Sequence, residues 1–376
     1  MVENSSSGLS LFDLLARSWD LDDEIVQIEF NHDDTGALLK LASGKVALAS
    51  TKDSESPKIR TRMDLETGRT TIRPRENPVA PLKKPDISVH KELPVTRFGP
   101  QGFATMDENG TLLHITAGGQ IVERQLDHAE PVTSLCSSMT GDTMIIAQHN
   151  EVTVMSVADW TVSAKITLNH EVSCQAISQD GRTLAAWGNS TLSLLNLADL
   201  DSDPRSIECA GDVTEISWQK SGAYLACACS DKSFNVVDCK ANTSQRVEGF
   251  PSAVRNVAFS ESGNALVTSG AFRLVGWNAD DLPHDDEPGT PLTTGKPGFV
   301  VLNAVAAHPE LNLVATGYAS GLVTLACIGT SQDMMLHQEK DTEVRSLCWS
   351  KTGEHLAIGF TSGVAAIVTF PSQMFK

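Results

Sequence analysis

VRNVAFSESGNALVTSG, residues 254–270, reads as an alternating strand through Val254, Val257 and Phe259, a polar Ser/Glu/Gly turn, and a second apolar strand over Ala265 to Thr268. A tight turn and a third strand, RLVGW (273–277), follow. Alternation with a period of two, broken by Gly/Ser/Asp turns every eight to twelve residues, is the signature of all-β structure. The same pattern recurs along the chain. PVTSLCSSMTGDTMIIA (131–147), VSCQAISQDGRTLAAWG (172–188), VTEISWQKSGAYLACACSD (213–231) and VRSLCWSKTGEHLAIG (344–359) superpose on it. The turn glycines Gly141, Gly181, Gly222, Gly263 and Gly353 are spaced by 40, 41, 41 and 90 residues. The last gap divides at LNAVAAHPELNLVATGY (302–318), where Asn312 stands in the glycine's place, a residue that tolerates the left-handed turn conformation.

A period of this length points to a repeat architecture in which each unit buries its apolar faces against its neighbours. Two weaker units lie upstream, from Glu24 to Ser50 and from Pro94 to Thr116, which brings the number to eight. If the two degraded units form a single blade, the number is seven. The expected fold is all-β: one domain over residues 1–376, of four-stranded antiparallel blades in a ring. The last clear strand, GVAAIVTF, ends at Phe370, and its blade still requires an outer partner to cover the edge. Residues Leu14 to Leu21 are expected to supply that strand. A short amphipathic helix is the competing reading, because Leu11, Leu14, Leu15 and Trp19 also fit helical spacing.

The units resemble the WD40-repeat family, as a divergent member. VRNVAFSESGNALVTSG is close to that family's strand–turn–strand motif, but the signature positions are loose. The Trp-Asp dipeptide appears as Trp277-Asn278, Val237-Asp238 and Leu195-Asn196. His128 matches the family's Gly-His position with Asp127 in place of the glycine, and Asp231 matches the aspartate of the second turn. The resemblance implies a β-propeller around a central channel, and no particular activity.

Composition narrows the function. The chain has 29 Lys and Arg against 47 Asp and Glu, a net charge of −18. That balance disfavours general binding to nucleic-acid backbones and to anionic membranes. No apolar run is long enough for a membrane helix, the N-terminal stretch lacks the form of a secretory signal, and the eight cysteines form no CxxC pair. The reading is a cytoplasmic, reduced protein. Catalytic motifs do not emerge: GYASG (317–321) misplaces the serine of a nucleophile elbow, and GTPLTTGKP (289–297) carries Pro297 where a phosphate loop needs a hydroxyl. No two of the ten histidines sit at ligand spacing, and His284-Asp285-Asp286-Glu287 reads as a solvated acidic loop. No cofactor or metal is expected.

Two insertions depart from the repeat. Residues 56–92 are basic and proline-rich: positions 58–91 hold nine Lys/Arg against four Asp/Glu, with Pro74, Pro78, Pro81 and Pro85. This segment either docks on the acidic propeller or reaches an acidic partner through Arg60, Arg62, Arg69, Arg73, Arg75, Lys83 and Lys84. The second insertion, 278–298, is acidic and is read as a loop or as part of a rim for a basic partner. Glu24, Glu130, Glu171, Asp212 and Glu343 each precede an innermost strand, so they are candidates to ring one channel mouth. The function expected is a non-enzymatic scaffold for protein partners, a basic one among them. The alternative is an enzyme or small-ligand propeller with a site at the mouth.

Overall fold

The computed structural model describes residues 9–63, 70–126, 130–372 and 374–375. Among them the chain forms seven four-stranded antiparallel sheets, one three-stranded sheet and a separate two-stranded hairpin. The sheets are the blades of an eight-bladed β-propeller. Their innermost strands, in chain order, are Ile25–Phe30, Thr96–Phe98, Ser134–Ser137, Cys174–Ile177, Val213–Trp218, Val257–Ser260, Leu302–Ala307 and Val344–Trp349, and they define blades 1 to 8. Each lies against the next, and that of blade 8 lies against that of blade 1. The ring therefore closes with eight units, and both weak upstream repeats are blades of their own.

The apolar alternation explains the packing. In Tyr224–Cys229, the second strand of blade 5, Leu225, Cys227 and Cys229 pack towards blade 4, whereas Ala226 and Ala228 pack towards blade 6. Successive side chains of a strand point to opposite faces, so a strand buried on both sides reads as a continuous run of small apolar residues. The core is accordingly not one continuous apolar ring. It is eight separate layers, one between each pair of neighbouring blades. Hydrogen bonds stitch some of them: Trp218 and Trp349, the last residues of their inner strands, donate through Nε1 to Ala176 O and Ala306 O of the preceding blade, each at 3.0 Å.

Both N-terminal readings hold, in succession. Leu11–Leu15 is a helix whose Ser10 and Asp13 form a reciprocal cap, and Ala16–Asp20 then pairs antiparallel with the third strand of blade 8, from Ala16↔Val368 to Asp20↔Val364. Phe12 and Leu15 lie in the layer between blades 7 and 8. The first strand thus completes the last blade.

Blade 1 has only three strands. Its open edge is covered by the basic insertion, where Lys83 exchanges backbone hydrogen bonds with Leu48 at 2.8 and 3.0 Å. Trp19 Nε1 donates to Ala80 O at 2.8 Å, and Val89 N donates to Gly44 O at 2.8 Å. Leu82 packs on the layer between blades 8 and 1. Prolines suit such an edge strap, because they cannot donate to a ladder. One turn differs from expectation. Gly141, Gly181, Gly222 and Gly353 all have φ near +70°, but in blade 6 the left-handed residue is Asn264, and Asn312 is not left-handed at all. A Cβ on Gly263 would stand 2.6 Å from Asn312 Oδ1, so those two positions are matched by close packing rather than by a shared turn conformation.

Candidate functional site

The loops that enter the inner strands share one face of the disc with the loops joining each second strand to its third. Backbone hydrogen bonds connect the two sets: Ala42 N to Glu24 O, Ser230 N to Asp212 O, Thr361 N to Glu343 O and Val172 N to His149 O, at 2.7–3.0 Å. Glu24, Glu130, Glu171, Asp212 and Glu343 all belong to this face. Three of their carboxylates contact a neighbouring blade. Glu24 pairs with Arg345 across the blade 1–blade 8 boundary at 2.8 Å. Glu343 accepts from Asn303 Nδ2 of blade 7 at 2.8 Å. Glu171 meets His149 at 3.0 Å, and Glu130 and Asp212 are exposed. Arg255, half-buried, lies within reach of Glu343, Glu24 and Arg345, and burial lowers its pKa.

The inner strands of blades 1 to 5 wall a cavity of about 520 Å³. Its polar groups were not singled out by repeat reading. Glu29 of blade 1 pairs with Arg97 of blade 2 at 2.9 Å, and burial raises the carboxyl's pKa against the pull of that arginine. Glu215 of blade 5 accepts from Asn256 Nδ2 of blade 6 at 2.7 Å, and burial pushes its pKa up to about 7. Gln175 donates to Ile145 O at 3.2 Å, while its Oε1 has no partner among the described residues. Cys136 and Cys174, also on this wall, are pushed up by burial, the latter to about 12. Such thiols stay protonated and are poor nucleophiles. The sequence signal for Glu29 and Glu215 was present but generic: a charged residue inside an otherwise apolar alternating strand.

The basic insertion lies along the outside of blades 8, 1 and 2. Arg60 is buried and donates to Glu55 O at 2.7 Å, to Leu14 O at 2.5 Å and to Arg73 O. Arg75 forks onto both oxygens of Asp53. Lys83 donates through Nζ to Gly118 O at 3.1 Å. Arg62 and Lys84 are exposed, and Arg73 makes a 3.5 Å pair with exposed Glu76. Arg69 lies outside the described residues. Arg60 and Arg75 are thus committed inside the molecule; Arg62, Arg73 and Lys84 form the outward basic surface.

The acidic insertion edges a second cavity, of about 420 Å³, between the rims of blades 5 and 6, lined by Asp238, Asp280, Asp281 and Asp285. His284 Nδ1 donates to Leu282 O at 2.8 Å, which with the surrounding acids raises its pKa. Among the described residues no group of three or more His, Cys, Asp or Glu side chains is placed to hold a metal ion.

No protein-family profile matches the chain. Over 157 residues it is 29% identical to the Poly(A)+ RNA export protein of Schizosaccharomyces pombe, a match that covers 42% of this chain and 44% of that protein. The chain therefore spans less than half the length of that relative. Among solved structures, a chain of the Mitotic Checkpoint Complex is similar with a TM-score of 0.58 at 16% identity, covering 76% of this chain and 89% of that one. The Cps50 (Swd1) β-propeller domain of Myceliophteria thermophila is similar with a TM-score of 0.53 at 16% identity, covering 74% and 96%. Similarity at this level shows a shared propeller fold.

Proposed function

We propose that this protein is a non-enzymatic scaffold that binds protein partners on the channel-mouth face of a rigid eight-bladed disc. One observation carries the reading: at the mouth the carboxylates of Glu24 and Glu343 are each held by a side chain of the neighbouring blade, Arg345 and Asn303. Loops held by a rigid frame are where recognition tends to reside. The structural neighbours support a role in assemblies, since one is a chain of a checkpoint complex. The partial relative is an RNA export protein, and the net charge of −18 here favours protein contacts over backbone binding to RNA. The partner surface is basic, drawn by that charge, and the eight unpaired cysteines fit a reducing, cytoplasmic compartment.

A second reading rests on the buried Glu215 carboxyl in the channel, which favours a small ligand or an enzymatic site. Affinity capture from native lysate with the wild-type chain and with a Glu24→Lys, Glu130→Lys, Glu343→Lys variant separates the two. The scaffold reading expects a discrete set of proteins that the variant loses. Recovery of the same proteins by the variant, or of none by either, overturns it.

A further inference from the structure

The 47 acidic residues fall on average once in eight positions, yet two stretches, 262–279 and 288–309, contain none. The fold brings these stretches together where blade 6 meets blade 7. Gly298 N donates to Phe272 O at 3.2 Å, Leu302 N to Ala271 O at 2.8 Å, and Gly270 N to Leu302 O at 2.8 Å. On this braced backbone Phe299 is 100% exposed, Phe272 45% and Val300 38%. Exposed Arg273 and Lys296 flank them, the latter with 73% of its side chain in solvent and its ammonium 3.2 Å from Asp333. Met335, on the same side of its strand as Asp333, is 68% exposed. Phe272 lies in the loop between the second and third strands of blade 6, and Phe299 in the loop entering blade 7. Phe272 and Phe299 therefore lie on the channel-mouth face, and the patch runs down the outer rim to Lys296 and Met335 beside the turn into the fourth strand of blade 7, where Gly295 N donates to Thr330 O.

Single exposed apolar residues are ordinary, but two exposed phenylalanines on hydrogen-bonded backbone segments beside an arginine have the composition of an interface anchor. We propose that this patch docks a segment of a protein partner that presents an apolar side chain flanked by aspartate or glutamate. The sign of the charge selects the segment. Its carboxylates meet Arg273 and Lys296 here and are repelled by the acidic surface elsewhere, so binding is confined to one position and one register. A single-stranded nucleic acid would also find aromatic faces. It would bring a phosphate per nucleotide onto a body of charge −18 with two cations at the contact, so the observations favour protein. The inference rests on the scaffold reading, to which it adds the partner's chemistry.

The test is selection of a phage-displayed random dodecapeptide library on the immobilised full chain, followed by fluorescence anisotropy of the enriched peptides. Controls are Phe272→Ala/Phe299→Ala and Arg273→Glu/Lys296→Glu variants. Enriched sequences should pair Leu, Ile, Phe or Trp with Asp or Glu. They should lose affinity by about tenfold or more on either double variant, while the variants keep the wild-type melting temperature. Absence of peptides that pair an apolar side chain with Asp or Glu, or unchanged binding of such peptides to the Phe272→Ala/Phe299→Ala variant, overturns the proposal. So does a fluorescent single-stranded oligonucleotide that binds wild type and is lost in that variant. A partner captured from lysate equally by wild type and that variant would sink the patch while leaving the scaffold reading intact.

Discussion

Asp53 holds two arginines at once. Arg75 forks onto both its oxygens, and Arg17 Nε lies 3.9 Å from Oδ2, in a site where Arg17 and Asp53 side chains are 5% and 8% exposed. Arg17 Nε and Nη2 find no hydrogen-bond partner among the described residues, and burial lowers the arginine's pKa despite the aspartate. Removing one member of a buried pair leaves an uncompensated charge, so Asp53→Ala is expected to cost about 3–5 kcal/mol in urea unfolding. A loss below about 1 kcal/mol would show that solvent already reaches the site. Glu215 gives a dependence on pH. Its folded value near 7 exceeds the ordinary 4.5, so the folded state binds the proton more tightly. Stability from this group is then present at low pH and is lost as pH rises from about 4.5 to 7. Glu215→Gln keeps the acceptor for Asn256 but cannot ionise. Its melting temperature relative to wild type should climb across that window and level off above about pH 7, and a constant difference would refute the assignment.

At the scale of elements, the N-terminal segment does two jobs that one periodicity could not separate. The helix Leu11–Leu15 buries Phe12 and Leu15, and the strand Ala16–Asp20 covers the edge of blade 8. Leu11, Leu14, Leu15 and Trp19 satisfied both patterns because the change of structure falls between Leu15 and Ala16. Removing residues 1–20 exposes a blade edge and uncovers the apolar layer on which Phe12 and Leu15 pack. A fall in melting temperature on the order of 10 °C, with aggregation, is expected by scanning calorimetry and light scattering. An unchanged midpoint would mean that the ring does not depend on this closure. The strap over blade 1 was legible only in part. Its prolines excluded a central strand, but Lys83 pairing with Leu48, and buried Lys40 donating to Lys91 O and Leu93 O, depend on blades that lie alongside only in three dimensions.

For the molecule as a whole, the charge of −18 is distributed over a closed disc that carries the cationic aromatic patch and an outward basic surface on the strap. Approach of a basic partner is steered by the acidic loops, so its association rate should fall steeply as salt rises from about 0.05 to 0.5 M while dissociation changes little. Stopped-flow measurement over that range checks this, and a salt-independent association rate would remove steering from the account. The repeat, the all-β class and the closing strand could be read in advance, because a period near 41 and a strand alternation of two are local properties of the chain. Which cations are consumed inside (Arg60 and Arg75), which carboxyls enter the channel (Glu29 and Glu215) and where two acid-free stretches meet at Phe272 and Phe299 were decided only by the tertiary structure. Those contacts join different blades or distant segments, and a linear pattern records the periodicity of each blade but not which side chains its neighbours bring to the shared boundary.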